Sequence, residues 1–288
     1  MSASPSAPAM RLVVQHPTLQ PQAIEAFSGR LGRTPSQLGA GFAVWQSAAV
    51  EPEEVVALAQ SLQVDAALVP AEARLADYRL LAFDMDSTLI TIECVDEIAD
   101  YAGCKSQVAA ITEAAMRGEI TDYDESLRRR LALLAGLDFA VLARVFDERL
   151  RLSPGAERLI DEARRLGLKT LLVSGGFTYF TDRLKAQLQL DYTWSNTLEV
   201  VDGKLTGRVL GRIVNAEAKA KALLETCRSV GCAPAEAIAI GDGANDLKMM
   251  AAAGVSFAYH AKPLVRSQTT YAINYGGLDA VLNLLPTA

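Results

Sequence analysis

Two carboxylates one residue apart, Asp84-Met85-Asp86, close the apolar run Leu80-Leu81-Ala82-Phe83 and are followed by the hydroxyls Ser87 and Thr88. If the strand that this run predicts extends through Met85, alternation of side chains sends Asp84 and Asp86 in the same direction. Neighbouring carboxylates at a sheet edge repel, raise one pKa, or hold a divalent cation. Alone, an Asp-x-Asp after a core strand is more often a polar turn, so the rest of the chain must decide whether this pair is chemical.

Three further stations bear on it. Ser174-Gly175-Gly176 ends a second apolar run and precedes a helical pattern; glycines there let backbone N–H groups approach an anion, and the helix dipole assists. Lys219 lies at the start of an alanine- and lysine-rich helix. Gly241-Asp242-Gly243-Ala244-Asn245-Asp246 ends a third apolar run, and its oxygen-rich side chains suit Mg²⁺. Singly these are a tight turn, a solvated helix face and a helix cap. Together, in this order at successive strand ends, they describe a phosphate held over a magnesium ion with an aspartate aimed at phosphorus.

The elements that must position these residues follow from periodicity. After Ser153-Pro154-Gly155, helices at 156–166, 177–188 and 216–230 alternate with buried strands at 168–173, 237–240 and 255–258, a further strand at 271–274 and a closing helix at 278–285. Asp202-Gly203 within 198–209 signals a hairpin. The alternation predicts an α/β fold with a doubly wound, mainly parallel sheet, whose ligands bind beyond the carboxyl ends of the strands. Residues 93–150 are helical almost throughout, punctuated by Gly103, Gly118 and Gly136, which is the layout of a cap over a site. Ahead of the first motif strand lies a small α+β module with strands at 11–15, 41–46 and 64–69 and helices at 22–31 and 52–62. It concentrates no catalytic side chains and is assigned a regulatory or dimerising role. The Ser/Pro/Ala-rich start is expected to be disordered. The division is thus 1–76 and 77–288, with the cap at about 92–152.

Composition narrows the partners. A formal charge of -6, with Arg128-Arg129-Arg130 as the densest basic cluster, argues against nucleic acid. Four cysteines without a C-x-x-C pair, and two histidines, argue against zinc and for reduced thiols. The start does not read as a secretory signal, and no apolar segment approaches the ~20 residues of a membrane span, so a soluble cytoplasmic protein is expected.

Phe83-Asp84-Met85-Asp86-Ser87-Thr88, Ser174-Gly175-Gly176-Phe177, Lys219 and Gly241 to Asp246 together resemble the haloacid dehalogenase-like phosphatases, and among them the phosphoserine phosphatases of serine biosynthesis. The resemblance runs from about Leu80 to the end of the sequence, including the cap segments 93–99 and 125–131 and the stretch 197–207. It implies that Asp84 is the nucleophile, forming an aspartyl-phosphate, and Asp86 the general acid and then base. It implies that Mg²⁺ is held by the side chains of Asp84 and Asp242 and the backbone carbonyl of Asp86. Lys219, Ser174 and Gly175 would neutralise the phosphate, with Asn245 and Asp246 orienting the metal shell and the lysine. Glu93 would meet the ammonium of phosphoserine and Arg130 its carboxylate, while Met116 and Tyr123 close over the substrate; Tyr123 stands where the family often has phenylalanine. The first module resembles a degenerate ACT-like domain, one strand short, through which a homodimer could form. Two other readings are a phosphatase or phosphotransferase for another small phosphorylated metabolite, and an amino-acid sensor with an inactive phosphatase fold. The intact catalytic positions argue against the latter.

Overall fold

The computed structural model describes residues 9–48, 50–117 and 119–287, together with the backbone but not the side chain of Met116. The expected disorder of Ser2 to Pro8 and the helix end at Gly118 lie outside the described residues.

The first module runs β1 (Met10–Gln15), α1 (Pro21–Leu31), β2 (Gln37–Gly39), β3 (Phe42–Trp45), α2 (Pro52–Leu62), β4 (Asp65–Pro70), and its antiparallel sheet has the order β2-β3-β1-β4. The expectation of three strands is therefore corrected to four. The missing one, β2, is three exposed residues, too short to show an alternation. Both helices open with proline, whose fixed φ suits the first helical position, and both end on a left-handed residue, Gly32 or Gln63. One face of β1, Leu12 and Val14, packs with Phe27, Trp45 and Val55. The other face turns to the rest of the chain. There Arg11, buried, donates to the carbonyls of Ala71, Ala73 and Leu284 at 2.6–2.8 Å. Asp65, also buried, accepts from the Asn274 and Tyr275 backbone N–H groups and from Asn274 Nδ2.

The second body begins with β5 (Leu80–Phe83) and the cap helices α3 (Cys94–Tyr101), α4 (Lys105–Met116), α5 (Tyr123–Ala132) and α6 (Val141–Arg144). It continues with α7 (Ala156–Arg165), β6 (Lys169–Phe177), α8 (Thr178–Leu188), β7 (Tyr192–Val201), β8 (Lys204–Leu210) and α9 (Ala216–Val230). β9 (Ala237–Gly241), α10 (Leu247–Ala252), β10 (Val255–Tyr259), α11 (Pro263–Arg266), β11 (Tyr271–Ile273) and α12 (Val281–Leu284) complete it. The sheet order is β11-β10-β9-β5-β6-β7-β8, and every pairing is parallel except the β7–β8 hairpin, which turns at Asp202 and Gly203 with positive φ. This is the expected doubly wound α/β fold. Its strands are apolar on both faces because helices cover both: Leu80 and Ala82 pack with α9 and α10 residues, Leu81 and Phe83 with α7, α8 and α12 residues.

Two local expectations change. β6 runs on through Ser174-Gly175-Gly176 to Phe177, with its register against β7 shifting after Val173. β5 stops at Phe83 instead of continuing through Met85. Asp84 and Asp86 keep extended backbones, but the chain then closes a wide turn in which Leu89 N–H bonds Asp84 O and Ile90 N–H bonds Met85 O, with Ser87 at φ 54. The two carboxylates owe their placement to this turn, not to strand alternation. The cap leaves and rejoins the body through paired connections: Ile90 bridges Leu152, and Thr91 N–H donates to Arg151 O at 2.9 Å. The cap is helical, as expected, and its α-helices are separated at Gly103 and Gly136, both at positive φ. Among the described residues no helix is long and apolar enough to cross a membrane.

Candidate active site

Three adjacent strand ends converge. β5 delivers Asp84, β6 carries Ser174-Gly175-Gly176, and β9 runs into Asp242, while α9 brings Lys219. Lys219 is 1% exposed, and its ammonium donates to Asp84 Oδ1 at 2.5 Å and to Asp246 Oδ1 at 2.6 Å. Burial works against that charge, but Asp246 and Asp84 outweigh it and hold the Lys219 pKa above its ordinary value. Burial, reinforced by Asp246, lifts Asp84 well above the usual carboxylate range against the pull of Lys219. Asp246 also accepts from Gly243 N–H at 3.1 Å.

Asp242 accepts from Thr88 Oγ1 at 3.2 Å, and burial followed by Asp246 pushes it up to about 6. Oxygens of Asp84, Asp242 and Asp246 all lie within 4.8 Å of one another. Three carboxylates around one ammonium leave an excess of negative charge in a largely buried place. An all-oxygen donor set of this kind fits a hard divalent cation. Asp86 is not among the three. Its Oδ1 accepts from Cys94 N–H at 2.9 Å, and its Oδ2 faces Ser174 Oγ at 3.4 Å. Burial raises its pKa.

Around this centre the structure brings together most of the residues singled out from the sequence. Ser174 Oγ accepts from Gly176 N–H at 2.8 Å, which folds the loop tightly. A Cβ on Gly175 would collide with the Tyr123 hydroxyl, and one on Gly243 with Asn245 Oδ1, so both glycines serve close approach. The Tyr123 phenol thus reaches over the glycine loop from α5. Glu93 accepts from Ser87 Oγ at 2.6 Å; solvent reaches it, yet the protein crowding it and then Asp86 push it up to about 8. The three arginines of α5 separate clearly. Arg128 lies 3.8 Å from Asp124 and Arg129 pairs with Glu125 at 2.7 Å, both more than half exposed. Arg130 is half-buried, and its Nε is buried without a hydrogen-bond partner among the described residues. Met116 ends α4; its side chain lies outside the described residues. A cleft of about 1110 Å³ elsewhere, between α2, β4 and the α11–β11 segment, contains none of these groups.

One residue escaped the sequence reading. Asn196, on β7 and 2% exposed, donates from Nδ2 to Gly175 O at 2.7 Å and accepts at Oδ1 from Val214 N–H at 2.8 Å. It clamps the glycine loop to the segment that enters α9. The available signal was an asparagine inside a strand, where its β-propensity is poor.

The chain matches the family model described as haloacid dehalogenase-like hydrolase over residues 81–251. It is 61% identical over 218 residues to a phosphoserine phosphatase of Polaromonas sp., covering 74% of this chain and 92% of that protein. Among solved structures, the unliganded probable phosphoserine phosphatase from Vibrio cholerae superposes with a TM-score of 0.82 at 40% identity, covering 97% of this chain and 87% of that one. A substrate-bound phosphoserine phosphatase complex gives 0.68 at 36% identity, covering 72% of this chain and 98% of that one. The three strand ends that carry Asp84, Ser174 and Asp242 all fall within the matched span, and the chain belongs to the haloacid dehalogenase-like hydrolases, in their phosphoserine phosphatase branch.

Proposed function

We propose that the Asp84–Lys219–Asp246 centre hydrolyses O-phospho-L-serine to L-serine and phosphate. The observation that carries this reading is the buried Lys219 ammonium bonded to Asp84 beside the glycine loop, with Asp86 across from Ser174. An Asp84 oxygen attacks phosphorus, the bond from phosphorus to the serine oxygen breaks, and Asp86 supplies the proton that oxygen needs. The raised pKa of Asp86 supports that role, since it favours the protonated form at higher pH. Asp86 then takes a proton from water as that water attacks the phosphorus of the aspartyl-phosphate, and phosphate leaves with Asp84 restored. Ser174, the Gly175 N–H and Lys219 hold the phosphoryl oxygens, and Asn245 and Asp246 keep the lysine and acidic groups in place. Mg²⁺ is the cation we assign to Asp84, Asp242 and the Asp86 carbonyl, with Asp246 beside them, where it would neutralise developing charge on the phosphoryl group.

Substrate recognition rests on α5 and the start of the cap. Arg130, with a buried Nε awaiting an acceptor, suits the serine carboxylate, and Glu93 suits the ammonium. Tyr123, whose hydroxyl reaches over Gly175, closes over the bound molecule. The first module is assigned to self-association, a reading supported by its uncovered edge strand β2 with exposed Leu38. Four free thiols suit a reducing cytoplasm.

Steady-state hydrolysis of L-phosphoserine with and without Mg²⁺ tests the proposal. Turnover that requires the cation and favours phosphoserine over phosphothreonine and aryl phosphates is expected. A preference for the aryl esters would overturn the substrate assignment.

A further inference from the structure

Two consecutive residues at the start of α5 touch the body of the enzyme at its site. Tyr123 reaches over Gly175, and Asp124 Oδ1 accepts from Asn215 Nδ2 at 3.1 Å. Asn215 is also the N-cap of α9: its Oδ1 accepts from Ala218 N–H at 3.1 Å, and its backbone carbonyl accepts from Lys219 N–H at 2.9 Å. The residue before it, Val214, is held by Asn196, which holds the Gly175 carbonyl in turn. A single side-chain amide therefore joins the cap to the first turn of the helix that presents Lys219 to Asp84.

Other roles for these two side chains explain less. Asp124 lies in the first turn of α5, where a negative charge is favoured by the helix dipole. That role requires no partner on the body, and the turn is already capped by Asp122, which accepts from Asp124 N–H at 2.9 Å. The Arg128 guanidinium stands 3.8 Å away on the exposed side, so the ion pair is a weak competitor for the carboxylate. For Asn215, capping uses only its oxygen. The amide nitrogen is free for a second task, and it is spent on the cap.

We infer that the Asp124–Asn215 hydrogen bond is a latch between cap and body, and that Asp124 and Asn215 are positioning residues for substrate binding. With the latch made, the phenol of Tyr123 is fixed over the phosphate loop and Arg130, seven residues further along the same helix, is held toward the site. With it broken, α5 is released from α9 while the N-cap of α9 and the Lys219–Asp84 contact persist. The consequence falls on KM more than on kcat. This inference rests on the phosphoserine phosphatase reading for its substrate.

The test is a polarity swap. Aspartate caps helices as well as asparagine does, so Asn215→Asp preserves α9 but sets two carboxylates face to face. We expect its KM for phosphoserine to rise by about tenfold, with a much smaller change in kcat and an unchanged melting temperature. Adding Asp124→Asn returns a donor to the pair from the opposite side, and the double variant is expected to recover KM to within about twofold of the parent. An Asn215→Asp protein with parental KM, or a double variant as impaired as the single one, would overturn the latch. Should Asn215→Asp fail to fold, Asp124→Ala leaves the α9 cap untouched and must show the same rise in KM; a parental KM there would also overturn the latch. If the parent protein turns over p-nitrophenyl phosphate but not phosphoserine, the substrate reading fails, and the same comparison of KM values on the aryl ester still judges the latch.

Discussion

Lys219 and Asp84 are joined by a 2.5 Å hydrogen bond in a site that solvent scarcely reaches. The lysine is also anchored by Asp246, so one ammonium orients Asp84 Oδ1 and is itself held in place. Removing the oxygen proposed as nucleophile without removing the shape is the cleanest intervention. Asp84→Asn is expected to lower turnover by at least about 10³-fold. The fold is expected to persist, because the change also relieves repulsion from Asp246 and Asp242. Circular dichroism and phosphoserine turnover on the same preparation check this; substantial residual cation-dependent activity would remove Asp84 from the nucleophile's role.

The lysine itself is expected to behave differently. Lys219→Met leaves two buried carboxylates without their shared counter-ion, and breaking such a network costs about 3–5 kcal/mol. Urea unfolding of the cation-free protein measures it. A loss under about 1 kcal/mol would mean that the carboxylates left behind are neutralised by taking up protons.

If the acidic cluster holds the cation assigned to it, stability depends on cation and pH together. Asp242 is raised to about 6 in the folded protein, above its ordinary value of 3.8. A carboxylate whose folded pKa is raised binds its proton more tightly when folded. The cation-free protein should therefore lose stability as pH rises from about 4 to about 6, the reverse of a salt-bridged aspartate. Mg²⁺ should oppose that loss, adding about 2.7 kcal/mol when present at a hundred times its dissociation constant. Melting temperatures across this pH range, with and without Mg²⁺, test both signs, and Asp242→Asn should flatten the cation response.

In the proposed function, recognition of the amino acid divides between Arg130 and Glu93. Arg130→Lys keeps the charge but loses the planar fork, and is expected to raise KM for phosphoserine by about 10- to 100-fold, or about 1.5–3 kcal/mol. An aryl phosphate, with no carboxylate to meet, should be turned over with nearly unchanged KM. Glu93 is raised to about 8, so near neutral pH much of it is protonated until an ammonium approaches. KM should accordingly fall as pH rises through 8, and Glu93→Gln should abolish that inflection. Profiles of KM against pH for the two proteins decide it.

How much of this was legible beforehand depended on how each residue signals itself. Asp84 and Asp242 sit at the ends of apolar runs, and a buried parallel sheet advertises both its strands and the side chains that end them. The hairpin at Asp202-Gly203 announced itself through turn chemistry. Three things did not show. β2 contributes three exposed residues and no pattern. The wide turn after Asp84 depends on Ser87 at positive φ, a conformation that serine does not favour. The partners of polar side chains across the fold, such as Asp124 with Asn215 and Arg11 with Leu284, are set by tertiary packing that no local window contains.

Asn196 is the case where that blindness matters for catalysis. Its amide satisfies a carbonyl in the glycine loop, at the half-buried Gly175, and an N–H of the buried Val214 in the segment leading to Lys219. Asn196→Ala leaves an unpaired acceptor and an unpaired donor, each costing about 1–3 kcal/mol, so a stability loss of about 2–4 kcal/mol is expected. Asn196→Asp separates the two tasks: it can still accept from Val214 N–H, but it turns a carboxylate toward the Gly175 carbonyl. That variant should bind phosphate, as product inhibitor, about tenfold more weakly, because the loop peptide is pushed from its place and a negative charge has been added beside it. Phosphate inhibition constants for the parent and Asn196→Asp proteins, measured at a temperature where both are folded, provide the check; equal constants would reduce Asn196 to a core residue without a part in holding the loop.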